Sequence, residues 1–148
     1  MPNHFHLLLH ESADGGISTF MNKLGTAFSM YMNTKYQRTG PLMCRPFRSR
    51  HIDSDEYFRW VFAYIHLNPV ELVQPDFKSK GIIDHSYVKA FLEKYPYSSY
   101  PDHMLSEREE SAILTPNDEV KALLKDTGTV RDLEEVLHAQ ENREFKYV

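Results

Sequence analysis

The sequence predicts an α+β domain on three patterns: a short apolar segment with alternating histidines, a long amphipathic stripe, and a second helical run halted by a proline. Residues 3–10, Asn-His-Phe-His-Leu-Leu-Leu-His, are too few for a stable helix and rich in apolar side chains, which predicts a strand. In a strand His4 and His6 share one face, while Phe5, Leu7 and Leu9 share the other. Asp14-Gly15-Gly16 reads as a turn. Ile17, Phe20, Met21, Leu24, Phe28, Tyr31 and Met32 then recur at steps of three and four, drawing one stripe on a helix that ends near Gly40-Pro41. Residues 42–52 have no helical period, contain Pro46 and alternate arginine with other residues, as an irregular strand or hairpin would. Asp53 followed by Glu56 suggests a capping box for a helix from Tyr57 to Asn68, with Pro69 as its stop. Residues 71–86 read as loop, Tyr87 to Tyr95 as a short helix. Two further helices are expected, one from Thr115-Pro116 and one from Thr129 to about Asn142.

At 148 residues the chain is long enough to bury a core, and 41% hydrophobic with 26% charged residues is the balance of a globular protein. No apolar run approaches the roughly 20 residues of a membrane span, and nothing at the N-terminus resembles an export signal. Cys44 is the single cysteine, so no internal disulfide forms and a cytoplasmic home is expected. The net charge of −4 is the opposite of a basic nucleic-acid footprint, but it is unevenly spread. Residues 1–52 carry Lys23, Lys35, Arg38, Arg45, Arg48 and Arg50 against Glu11 and Asp14, a formal +4, which leaves −8 for the rest. A phosphate-binding face confined to the first third is compatible with an acidic whole, because only charges within about a Debye length of a strand act on it.

Three groups of residues have chemistry in them. Two imidazoles on one strand face, His4 and His6, suit a single divalent ion, although a His-x-His pair alone is more often an ordinary solvated face. Tyr64 and Asn68 are one helical turn apart on one side, so the Asn68 amide oxygen could complete a hard-oxygen shell next to the tyrosine. Lys35, Arg38, Arg45, Arg48 and Arg50 suit phosphates, and the interleaved Tyr36, Phe47 and His51 suit stacking on bases.

Four ordered blocks of the chain resemble one family. Met1-Pro2-Asn3-His4-Phe5-His6-Leu7-Leu8-Leu9 is similar to the His-hydrophobic-His (HUH) motif of single-tyrosine transposases of the insertion-sequence-200 type. Tyr64-Ile65-His66-Leu67-Asn68-Pro69-Val70 resembles the tyrosine helix of their REP-associated branch. Between the two, Gly40-Pro41-Leu42 through Phe47-Arg48-Ser49, and Ile52 through Asp55-Glu56-Tyr57, follow the family in order and spacing. The resemblance covers residues 1–77, with an echo at Tyr97-Ser98-Ser99-Tyr100. It implies a ferredoxin-like antiparallel sheet flanked by helices, with the family's first strand and helix missing.

The same resemblance implies that residues 1–104 hold a catalytic domain, a metal-dependent DNA transposase acting on single-stranded or hairpin DNA, and the two helices read in the tail make residues 105–148 a helical C-terminal extension. Tyr64 would be the nucleophile, forming a 5′-phosphotyrosine, and His4, His6 and Asn68 would hold Mg²⁺ or Mn²⁺. Lys35, Arg38, Arg45, Arg48 and Arg50 would bind DNA. A sheet that begins at its HUH strand leaves an edge to cover, which a homodimer would do. Two alternatives stay open at this point: an inactive or domesticated descendant that still binds structured single-stranded DNA, and a metal hydrolase using His4 and His6.

Overall fold

A computed structural model describes residues 4–43, 46–105 and 118–139. The chain divides into two compact units, one of residues 7–51 and one of residues 1–6 with 52–148. The architecture is helical, 60% helix, with no β-strand or sheet among the described residues. The expected α+β fold with a ferredoxin-like antiparallel sheet is thereby overturned. Residues 4–10 and the described part of 42–52 carry no regular structure. The reason is physical: a strand exists through hydrogen bonds to a neighbour, and local alternation of side chains cannot supply the neighbour.

In the smaller unit, α1 spans Gly16–Tyr36. Gly15 precedes it at φ 70, and the Glu11 carboxylate accepts from the Ile17 N–H at 3.2 Å in place of a capping side chain. The helix ends at Gln37, which turns left-handed at φ 50, earlier than the expected end near Gly40-Pro41. The Asn33 amide bonds the Gly40 carbonyl at 2.8 Å, folding the tail back over the last turn. No residue of α1 is buried within the chain.

The larger unit is built around α2 (Asp55–Leu67). Its cap is Ser54, one residue after the expected Asp53: the Ser54 hydroxyl accepts from the Tyr57 N–H at 3.3 Å. Pro69 does not release the chain into a loop. It sits in the first turn of a 3₁₀ segment, Asn68–Leu72, where the missing N–H is no loss, so the chain stays packed and Val70 is fully buried. Short α3 (Phe77–Lys80) lies in the region expected to be loop; α4 covers His85–Lys94, with the Asp84 carboxylate capping the Tyr87 N–H at 2.9 Å. Then come α5 (Tyr100–Met104), α6 (Asp118–Leu123) and α7 (Val130–Ala139). The start expected for a helix at Thr115-Pro116 lies outside the described residues, as does the stretch beyond residue 139. Thr129 and Asp132 cap α7 reciprocally, hydroxyl to N–H at 3.1 Å and N–H to carboxylate at 2.8 Å.

The core joins Tyr57, Phe62, Ala63 and Leu67 of α2 to Val88 and Leu92 of α4 and to Val130, Leu133 and Leu137 of α7. Helix α7 packs directly on α2. Its position is fixed further by Glu134, whose carboxylate accepts the Ile82 N–H and meets the His85 ring at 2.6 Å. Gly81 occupies φ 75 immediately before, a conformation that favours glycine.

Candidate functional site

Helix α2 presents Tyr57, Trp60, Tyr64 and Asn68 at steps of three and four, so their side chains rise along one side. The rings form a ladder: Tyr57 stacks on Trp60 with centroids 6.1 Å apart, and Trp60 on Tyr64 at 5.3 Å with 17° between planes. At the free end of that ladder, the His6 ring meets Tyr64 edge-on at 5.6 Å, and the His4 ring meets His6 edge-on at 5.0 Å. The two imidazoles and the phenol therefore gather in one place without a sheet to carry them. Burial is the main cause that lowers the His6 pKa, followed by the neighbouring His4, which keeps this imidazole neutral and able to donate a lone pair.

Two neighbours complete the surroundings. The Lys78 ammonium lies 4.9 Å over the Tyr64 ring and is paired at 2.5 Å with Glu71. Asn68 is only 2% exposed, yet among the described residues neither its Oδ1 nor its Nδ2 has a hydrogen-bond partner. A buried amide left unsatisfied costs roughly 1–3 kcal/mol per group, so the position is expensive unless something is bound there. Among the described residues, no group of three or more His, Cys, Asp or Glu is arranged to hold a metal ion. A site here would depend on the two imidazoles and the amide oxygen of Asn68.

The sequence-predicted phosphate contacts lie in the other unit. Lys35 is in the last turn of α1, bonding the Tyr31 hydroxyl at 3.1 Å and lying over the Tyr31 and Tyr36 rings. Arg38 follows the helix end, its N–H bonded to the Asn33 carbonyl. Arg48 and Arg50 are exposed in irregular chain. Arg45 lies outside the described residues.

No family model matches the chain. No curated protein and no solved structure matches it either.

Sequence reasoning missed two features. Lys78 had no motif around it, and only the 3₁₀ segment and α3 bring it over Tyr64. His66 stood in the tyrosine-helix block with no role of its own, and it makes a buried contact. Its Nδ1 is 2.8 Å from the Phe62 carbonyl, which can only accept, so the proton sits on Nδ1. Nε2 is then the acceptor for the Ser99 hydroxyl at 2.9 Å. Burial, the largest cause, pushes the His66 imidazole down to about 4; the Phe62 carbonyl works the other way.

Proposed function

We propose that this chain is a single-strand DNA nickase and strand transferase of the HUH type, with Tyr64 as nucleophile. The observation that carries the reading is the gathering of the His4 and His6 rings against Tyr64, residues far apart in sequence. His4, His6 and Asn68 would hold Mg²⁺ or Mn²⁺, and the orphaned Asn68 amide is what fits them to such an ion. When bound, the ion supplies positive charge that polarises the scissile phosphate. Tyr64 Oη attacks phosphorus and the 3′-oxygen leaves; the proton lost by the phenol is balanced by the one the 3′-hydroxyl gains. The ester is retained as a 5′-phosphotyrosine, which a second 3′-hydroxyl can reverse without ATP. Lys78 would add a cation beside the incoming phosphate.

The test is incubation of the protein with a labelled hairpin oligonucleotide and Mn²⁺, followed by a denaturing gel. A retarded covalent band is expected, absent with EDTA and absent for Tyr64→Phe, which should keep near-normal DNA affinity. Hairpin binding without any adduct in Mg²⁺ or Mn²⁺ would leave the second reading, a DNA-binding descendant without chemistry. That reading is favoured by one observation: the described residues lack the sheet that carries the His pair in the family this sequence resembles.

A further inference from the structure

Helix α4 has two apolar stripes. Val88 and Leu92 are buried in the core, as an amphipathic helix requires. Tyr87, Phe91 and Tyr95, also at four-residue steps, form a second stripe: Phe91 is half-buried with one side against the core, Tyr95 is half-buried, and Tyr87 is exposed. Tyr87 is 58% exposed, and Tyr97 just beyond the helix is 84% exposed. Phe91 and Tyr95 lie 5.5 Å apart, and Tyr95 meets Tyr97 edge-on at 5.8 Å. With Ala90, Lys94 and Pro96 these helix residues line an open cavity of about 460 Å³. Two exposed rings continuous with two half-buried ones beside a cavity mark a binding surface, since single exposed rings are ordinary but a contiguous aromatic group is not.

We propose that Tyr87, Phe91, Tyr95 and Tyr97, with Lys94, form a nucleobase-stacking platform for single-stranded nucleic acid, separate from the His4, His6 and Tyr64 cluster. The proposal rests on the reading above that a single strand is the ligand, and adds a contact surface to it. The chemistry of the lining selects the occupant. Flat rings offer faces to bases of any sequence, and the one charged group lining the cavity, Lys94, is a cation suited to phosphate. The nearest carboxylate on the helix, Glu93, is drawn along α4 toward Lys89, with which it pairs at 3.8 Å. A proline-rich peptide would also use aromatic rings, but it gives Lys94 no counter-charge.

The experiment uses the full chain in EDTA, with a single-stranded oligothymidylate and an abasic strand of equal length and charge as probes, read by fluorescence anisotropy. The oligothymidylate is expected to bind more tightly than the abasic strand. Tyr87→Ala and Tyr97→Ala, both at exposed positions, should each weaken it roughly fivefold or more and leave abasic binding unchanged. Photocrosslinking of a 5-iodouracil strand should label the peptide that holds residues 87–97. Equal affinity for both probes, unchanged affinity in both variants, or engagement of this surface by a proline-rich peptide in preference to the strand would overturn the proposal. Adduct formation at Tyr64 in Mn²⁺ is read separately on the same variants. An intact adduct with no platform effect sinks the platform alone, and platform binding without any adduct supports the platform and sinks the nickase.

Discussion

Lowering the pH should weaken this fold through one buried imidazole. His66 is neutral in the folded protein, with Nδ1–H given to the Phe62 carbonyl and Nε2 accepting from Ser99. Its folded value is about 4 and its unfolded value 6.5, so between those limits the unfolded chain binds a proton that the folded chain refuses. The full contribution is present above pH 6.5 and is lost as pH falls toward 4. A difference of about 2.5 units at 1.36 kcal/mol each sets the loss at about 3 kcal/mol, a sizeable part of the 5–15 kcal/mol of a typical domain. His103, whose pKa burial also lowers, adds a loss of the same sign. The assay is urea unfolding of the wild type and of His66→Gln from pH 7.5 to pH 4.5. At pH 7.5 the variant should be the weaker, since it leaves Ser99 or the Phe62 carbonyl without its partner. The gap should then narrow steadily below pH 6.5. A constant gap across that range, or an NMR titration of His66 with a midpoint near 6.5, would refute the argument.

Other outcomes follow from single contacts. Leu133→Ala removes a fully buried side chain from the seam between α2 and α7, and should cost about 3 kcal/mol in chemical denaturation. Gly81→Ala forces a β-carbon into a left-handed position 3.1 Å from the Glu134 carboxylate, so a loss of about 1–2 kcal/mol and a lower Tm are expected. Thr129→Ala removes one half of the α7 cap and should cost about 1 kcal/mol, with Thr129→Ser restoring most of it. His4→Ala, at an exposed position, should leave the melting curve unchanged and remove most metal-dependent adduct formation with hairpin DNA.

What was legible in the chain was local. The 3.6-residue period drew α1 and α2, and Thr129 announced the start of α7, because periodicity and capping are decided within one or two turns. The lack of a sheet among the described residues was not legible because pairing is a property of two segments, and the alternating residues 3–10 hold no information about whether a second strand is there. Pro69 was legible as the stop of α2, which ends at Leu67, but nothing local announced the 3₁₀ turn Asn68–Leu72 that follows it. The resemblance named His6 and Tyr64 as site residues with no spacing that links them, and Lys78 was invisible since its place over the Tyr64 ring depends on the 3₁₀ segment and α3. Ser99 is 33 residues from His66, and no local pattern links a serine to an imidazole that the fold brings to it.

Helix α2 buries seven of its thirteen residues, and those seven face more than one neighbour. An element with so many sides engaged cannot fray or detach on its own, so its amide protons should exchange with solvent only when the entire larger unit opens. Tyr64 inherits that stiffness through its backbone. If a strand binds as proposed, its accommodation has to come from side-chain rotation or from chain without regular structure such as residues 4–6, with the tyrosine's own helix as the fixed frame.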